Sequence, residues 1–156
     1  MCPLRCTYIR HAESRPDSND HARPLTSAGE ASAAALGVRL LSLLGTPDLI
    51  FSSNAKRARD TAGLLGLGQV SIQPELYLAS ADVLADFTRN LPPVEHVLIV
   101  AHNPGLSELL WRHHPRRPLS PASGFQLFWD VEDWLLTEIE SPSGLHQFSA
   151  SGGSDS

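Results

Sequence analysis

Two arginines and two histidines stand at points where predicted strands end or predicted helices begin. Arg10 and His11 directly follow one apolar stretch, His102 follows another, and Arg57 lies in the first turn of a predicted helix. Guanidinium groups bind phosphate oxygens through paired, charge-assisted hydrogen bonds. A neutral histidine whose Nδ1–H is held by a backbone carbonyl presents Nε2 as a nucleophile. Together these side chains suit attack on phosphorus and a phosphohistidine intermediate that water hydrolyses.

Predicted strands and helices alternate along most of the chain. This alternation predicts an α/β fold, a three-layer sandwich with a mostly parallel central sheet flanked by helices. Ligands bind at the carboxyl ends of the strands in such sheets, so the two arginines and two histidines are expected at one edge. The predicted strands are 4–9, 48–51, 70–72 and 96–101, and the predicted helices are 27–44, 55–65, 82–91 and 104–111.

The first predicted helix has apolar residues that recur at intervals of three and four. This spacing predicts one inward-facing stripe, made of Ala31, Ala34, Ala35, Val38, Leu41 and Leu44. Hydroxyl, amide and carboxylate side chains favour the position just before a helix. The predicted caps are Thr26 or Ser27, with Ser27 and Glu30 forming a capping box, then Ser53 or Asn54, Asp82, and Asn103 followed by Pro104.

The pattern changes toward the C-terminus. The aromatic and aliphatic runs 125–131 and 134–139 predict a hairpin at the sheet edge. Residues 141–156 are rich in serine and glycine, which predicts a disordered tail. We therefore expect one domain at 1–140.

Composition restricts the classes of partner. A net charge of −5 argues against general nucleic-acid binding. Residues 1–60 nevertheless hold eight of the twelve Lys and Arg but six of the seventeen Asp and Glu, which favours local binding of a small anion. No run approaches the roughly 20 apolar residues that a membrane span needs. We expect a cytoplasmic protein without a membrane partner, in which Cys6 is a core residue of the first strand.

Five segments resemble sequence blocks of one known family. YIRHAES looks like the first signature of the histidine phosphatase superfamily, which includes the phosphoglycerate mutases. RPLTSAGEASA, SSNAKRARDTA and LIVAHNPGLSEL are similar to further blocks, and ASGFQLFWDVEDW resembles the closing hairpin of the small SixA-type phosphohistidine phosphatases. The blocks follow one another in unbroken order over residues 4–140. Their order and spacing make the resemblance specific, although each block alone is short.

The resemblance implies roles for individual residues. It makes His11 the nucleophile, Arg10 and Arg57 phosphate ligands, and His102 a residue that stabilises charge on the transferred phosphoryl group. Such a transfer depends on positioning and electrostatics, so the family pattern implies no metal and no cofactor. Ser14 and Asn103 are further candidates for contact with the phosphate.

A general acid is harder to identify. Larger members of the family carry a carboxylate on an insertion between the second and third blocks, and this chain lacks room for it. Glu75 is the carboxylate nearest to a predicted strand end, and it is equally a candidate surface or capping residue. The short connection predicts an open site, suited to a phosphate displayed on a protein or peptide.

Three functions remain open from the sequence. The first is a SixA-like phosphatase that acts on phosphohistidine or another phosphorylated protein residue. The second is a phosphatase for a small phosphorylated metabolite within the same superfamily, and the third is a phosphate-binding module without catalysis. The remaining histidines are interpreted as structural or surface residues, namely His21, His96, His113, His114 and His146.

Overall fold

A single β-sheet organises the chain in the computed structural model, which describes residues 4–115, 117–129, 142–150 and 154–155. Within these residues the strands are β1 Leu4–Arg10, β2 Leu49–Ser52, β3 Val70–Ile72, β4 His96–Ala101, β5 Ser123–Trp129, β6 Gly144–Ser149 and β7 Ser154–Asp155. The α-helices are α1 Ser27–Leu44, α2 Lys56–Leu65, α3 Ala81–Arg89 and α4 Gly105–His113. Short 3-10 turns occur at Asp20–Ala22 and Pro74–Leu76.

The sheet combines a parallel part with an antiparallel extension. The strand order is β3-β2-β4-β1-β5-β6-β7. Strands β3, β2, β4 and β1 pair in parallel, whereas β5, β6 and β7 pair antiparallel. All six residues of β4 are buried, as expected for a central strand covered on both faces. The predicted α/β fold is therefore confirmed.

Helices cover both faces of the sheet, which gives the predicted three layers. Successive side chains of a strand point to opposite faces, so Tyr8 joins the core under α3 and α4 while Ile9 joins the core under α1 and α2. In β4, Leu98 and Ile99 divide in the same way. Strands β1 and β4 pair in parallel, from Arg5 opposite His96 to Arg10 opposite Ala101, so their carboxyl ends reach the same edge.

The predicted inward stripe of α1 is wrong. The buried residues of this helix are Gly29, Ala33, Leu36, Gly37 and Leu40. Val38, predicted to face inward, is 74% exposed. A Cβ at Gly37 would lie 2.0 Å from the carbonyl oxygen of Leu65 at the end of α2. Helices α1 and α2 therefore contact each other at a glycine, and the pattern of apolar side chains does not indicate such a contact.

Two predicted helix caps are wrong, because other residues occupy the cap positions of α2 and α3. Ala55 occupies the cap position of α2 and makes no side-chain cap bond, while the Ser53 hydroxyl lies 2.6 Å from His102 Nε2. Ser80, not Asp82, caps α3 by accepting a bond from Val83 N.

The other two caps are confirmed in part. Thr26 caps α1 by accepting a hydrogen bond from Gly29 N, so Ser27 is not the cap. Pro104 occupies the cap position of α4. Asn103 precedes it, and its Oδ1 accepts a bond from Ser107 N at 3.1 Å.

The C-terminal predictions also change. The first predicted hairpin arm is confirmed as β5, but this strand lies between β1 and β6 and not at an edge. The second arm, 134–139, lies outside the described residues. Disorder from 141 onward is wrong for Gly144–Ser149, which pairs with β5 and buries Phe148. Leu145 packs on one face of the sheet and Phe148 is buried on the other. Two large apolar residues were therefore sufficient for a paired strand, and the sheet extends beyond residue 140.

Candidate active site

One cavity of about 350 Å³ lies at the carboxyl ends of β1 and β4 and beside the start of α2. It brings together six of the seven predicted site residues. The lining residues are Arg10, His11, Glu13, Ser14, Asp20, Arg23, Arg57, Leu78, His102, Asn103 and Pro121.

The imidazole of His11 is held in one orientation. Its Nδ1 lies 2.8 Å from the carbonyl oxygen of Ala12. Because a carbonyl only accepts hydrogen bonds, Nδ1 carries the proton and Nε2 keeps its lone pair. Arg57 Nε donates to Nε2 at 3.3 Å. Burial lowers the pKa of His11 to about 4, and the positive charges of Arg57 and Arg10 act in the same direction. At neutral pH the ring is therefore neutral.

Arg57 is almost fully buried and is bound on its outer side by Asp20. Its Nη1 donates to the Asp20 carbonyl oxygen at 2.7 Å, and its Nη2 donates to the carboxylate at 3.1 Å. The hydroxyl of Tyr77 donates to the same carboxylate oxygen. These bonds lower the pKa of Asp20 to about 2, the Tyr77 bond contributing most. Asp20 is accordingly ionised, and it fixes the direction of the Arg57 guanidinium.

Among the described residues, Arg10 and His102 each have a buried nitrogen without a hydrogen-bond partner. Arg10 Nη1 donates to the Leu119 carbonyl oxygen at 2.9 Å, but its Nε is unpartnered. His102 Nε2 contacts the Ser53 hydroxyl, and its Nδ1 is unpartnered. Burial lowers the pKa of His102 to about 3, assisted by the charges of His11 and Arg57. Buried polar atoms are normally paired, and both of these side chains line the cavity.

Ser14 and Asn103 line the cavity but already have partners. Ser14 Oγ accepts a hydrogen bond from Arg23 Nη2 at 2.8 Å. Asn103 donates from Nδ2 to the Leu119 carbonyl oxygen at 3.3 Å, the oxygen that also holds Arg10. Asn103 therefore supports the wall that carries Arg10.

Glu75 is not brought into this cavity. Its side chain is exposed and lines a separate cavity of about 430 Å³ beside Phe51 and Phe87. In the 3-10 turn Pro74–Leu76 the Leu76 side chain is fully buried, whereas Glu75 lies on the outer surface. The position of Glu75 near a strand end in the sequence did not determine where its side chain lies. The structure does not support Glu75 as the general acid.

Several residues of the site were not predicted. Glu13 could have been found, because it follows His11 by two positions. Asp20 lies in the stretch 14–24, whose turn formers and charges show no periodic pattern that would place it. Tyr77 lies in an apolar stretch, yet its ring packs edge-on against His102 at 5.6 Å and against His21 at 4.8 Å. The residues missed are Glu13, Asp20, Arg23, Ser53, Tyr77, Leu78 and Pro121.

The described residues contain neither a membrane-spanning helix nor a metal-binding cluster. None of the helices in the part of the chain that the structure covers is long and apolar enough to cross a membrane. No group of three or more His, Cys, Asp or Glu with the proximity needed to hold a metal ion occurs among residues 4–115, 117–129, 142–150 and 154–155.

Comparisons with known proteins converge on one family. Residues 7–79 match the model of the histidine phosphatase superfamily, branch 1. An uncharacterized chloroplastic protein of Arabidopsis thaliana is 34% identical over 122 residues, which cover 67% of this chain and 56% of that protein. The chain thus spans about 56% of the length of the curated relative that it matches.

Solved structures agree with this match. The protein of Nakamurella multipartitia that is assigned as the phosphohistidine phosphatase SixA has a TM-score of 0.78 at 25% identity, covering 86% of this chain and 89% of that one. The protein histidine phosphatase SixA complexed with tungstate has a TM-score of 0.80 at 18% identity, covering 95% and 98%. At 18% identity, the second similarity shows only that the fold is shared.

Proposed function

Because the chain belongs to the histidine phosphatase superfamily, we propose that it is a metal-independent phosphatase that acts through a phosphohistidine intermediate on His11. The observation that carries this proposal is the state of the His11 ring. The Ala12 carbonyl holds the Nδ1 proton, so the lone pair of Nε2 faces the cavity, where it accepts a 3.3 Å bond from Arg57 Nε that the incoming phosphoryl group replaces. A neutral, oriented imidazole is what nucleophilic attack requires.

The reaction proceeds in two displacements. In the first, the lone pair of His11 Nε2 forms a bond to phosphorus, and the bond to the leaving group breaks with its electron pair on that group. In the second, water attacks the phosphorus and releases a proton to solvent, while the P–N bond breaks and its electrons return to Nε2. The enzyme is regenerated and inorganic phosphate is released.

Three side chains stabilise the charge of the phosphoryl group. Arg10 and Arg57 supply guanidinium donors in the cavity that holds His11, and the buried Nε of Arg10 has no partner among the described residues. His102 Nε2 lies 2.6 Å from the Ser53 hydroxyl, and in the tautomer in which this hydroxyl donates to Nε2, Nδ1 carries the proton that a phosphoryl oxygen accepts. Donors fixed before the reaction stabilise developing charge without reorganisation.

A phosphorylated protein, and phosphohistidine in particular, is the substrate that we infer. Support comes from the SixA proteins that this chain resembles in structure. A small phosphorylated metabolite and binding without catalysis are the other outcomes that an experiment must separate. Cytoplasmic location stays a prediction from the sequence.

A substrate panel tests the proposal. Wild type, His11→Ala and the control His114→Ala, whose site lies outside the cavity, are compared on a phosphohistidine peptide, sugar phosphates and glycerate phosphates. We expect turnover of the peptide that persists in EDTA and in His114→Ala and disappears in His11→Ala. Turnover retained in His11→Ala and abolished by EDTA would contradict the mechanism, and binding without turnover would indicate a non-catalytic module.

A further inference from the structure

The cavity contains carboxylates as well as cations. Asp20 and Glu13 both line it beside Arg10, Arg23 and Arg57. Beyond orienting Arg57, a carboxylate adds nothing to a cavity that serves only to attract a phosphate, since like charges repel. The carboxylates therefore point to a second feature of the substrate.

One oxygen of Asp20 is only weakly bound. Oδ2 accepts bonds from Arg57 and Tyr77, whereas Oδ1 accepts a long bond from Arg23 Nη1 at 3.5 Å. The side chain is 47% exposed and borders the cavity. Because Arg57 also contacts the His11 nucleophile, Asp20 lies one guanidinium group away from the reacting atom.

No described residue of the cavity is placed to protonate a leaving group. His11 and His102 are neutral, and the Nδ1 proton of His11 is bound to the Ala12 carbonyl. The Tyr77 hydroxyl donates to Asp20. Glu13 is exposed and accepts a bond from the Thr26 hydroxyl at 2.9 Å. An alkoxide leaving from a phosphate ester would thus find no proton donor among these groups.

We propose that Asp20 is a specificity-determining residue that binds the N–H of a cationic leaving group, which selects phosphorylated imidazolium over phosphate esters. This inference rests on the proposed phosphatase function and concerns the same site. The Oδ1 atom accepts the hydrogen bond, and the negative charge of the carboxylate attracts the positive ring. A hydrogen bond between two ionised groups is among the stronger ones in proteins.

The bonds and protons balance for this substrate. The lone pair of His11 Nε2 forms the new P–N bond, and the substrate's P–N bond breaks with its electron pair on the leaving nitrogen. The phosphorylated ring was a cation and leaves as neutral imidazole, which keeps the proton that Asp20 holds on its other nitrogen. No acid has to donate a proton, in agreement with the groups that line the cavity.

A purely structural role of Asp20 makes a different prediction. If Asp20 acts only by orienting Arg57, its loss impairs the binding of the phosphoryl group, which all substrates share. The rates on all substrates would then fall by the same factor. The ratio between a cationic and an uncharged leaving group separates the two roles.

The test measures kcat/KM on a phosphohistidine peptide and on p-nitrophenyl phosphate, whose leaving group needs no proton. Asp20→Asn is expected to reduce the ratio of kcat/KM on the peptide to kcat/KM on p-nitrophenyl phosphate by at least about tenfold, given the strength of a hydrogen bond to a charged group. Asp20→Ser, a second uncharged variant, must reduce the same ratio, and Asp20→Glu must restore part of it. The control Asp17→Asn, in the same loop but outside the cavity, must leave the ratio unchanged.

An unchanged or increased ratio in both uncharged variants would overturn the inference. The proposed function fails separately, because it requires that His11→Ala remove the turnover of wild type on both substrates. Turnover that depends on His11, combined with an unchanged ratio, would leave the phosphatase standing and remove Asp20 as the residue that selects the leaving group.

Discussion

Two buried histidines at opposite ends of β4 show what distinguishes a structural histidine from a candidate catalytic one. His96 begins the strand and His102 follows it, and each is 1% exposed. Each ring has its Nε2 next to a hydroxyl, Thr7 for His96 and Ser53 for His102, and an Nδ1 without a partner. Burial lowers the pKa of both, to about 4 and about 3.

The difference lies in their surroundings. His96 belongs to a buried chain in which Gln126 donates to the Thr7 hydroxyl at 3.1 Å, across neighbouring strands. His102 lines the cavity with Arg10, Arg57 and His11, its ring centroid 5.2 Å from that of His11. A lowered pKa and an unpartnered nitrogen therefore do not identify a catalytic histidine. Convergence with cations on an open cavity does.

The largest expected effect is that replacement of His102 impairs catalysis whereas replacement of His96 impairs stability. His102→Ala should reduce kcat by roughly 10²–10³, as for loss of one fixed donor to transition-state charge. His96→Ala should reduce the free energy of unfolding by about 1–3 kcal/mol, because it empties a buried position and breaks the bond to Thr7. Steady-state kinetics and urea unfolding of both variants measure this. Equal effects on kcat would remove the distinction.

Arg57→Lys should give the next largest effect. A lysine keeps the charge but cannot reproduce the planar donors that contact His11 Nε2, the Asp20 carbonyl oxygen and the Asp20 carboxylate. We expect kcat/KM to fall by about 10²-fold, as for loss of oriented electrostatic stabilisation. Lys56→Arg, on the adjacent exposed residue, is the matched control and should leave kcat/KM near that of wild type.

The stability of the protein should depend on pH through both regions. His11, His96 and His102 have folded-state pKa values below the ordinary 6.5, at about 4, 4 and 3. The unfolded chain then binds more protons below pH 6.5, so stability is complete above that pH and is lost as the pH falls toward 4. Each histidine contributes on the order of 1 kcal/mol per pH unit.

His96→Gln sharpens this comparison. It removes one of the three groups, so the slope of unfolding free energy between pH 6.5 and pH 4 should decrease by about a third. Urea unfolding across this range measures the slope. An unchanged slope would mean that His96 does not titrate as its burial indicates.

Tyr77→Phe should give the smallest effect. It removes the hydroxyl that donates to Asp20 but keeps the ring against His102. One hydrogen bond to a charged group contributes about 1.5–3 kcal/mol in favourable cases and less at an exposed position. We expect kcat/KM to fall by about fivefold. A loss as large as that of Arg57→Lys would mean that Tyr77 contacts the substrate itself.

The residues at the strand ends could be predicted because regular elements place them. Apolar runs located β1 and β4, and the rule for parallel sheets then placed Arg10, His11 and His102 at one edge. Arg57 required the family pattern as well. Helix α1 shows the limit of the method, since Gly37 contacts α2 without any side chain.

The rim of the cavity could not be predicted in the same way. Asp20 meets residues 37 and 57 positions away in the chain, and its loop has no period that encodes these contacts. Glu75 failed for a related reason, because its position near a strand end does not specify the direction of its side chain. Tertiary contacts decide both.

Direct detection of the phosphoenzyme tests the central claim most closely. A rapid acid or alkaline quench during turnover of a phosphohistidine peptide, followed by peptide mapping, should locate a phosphoryl group on His11 that is labile in acid and stable in alkali. The label should be absent in His11→Ala and present in His96→Gln. An active wild-type enzyme without label on His11 under these conditions, or with label on another residue, would contradict the account.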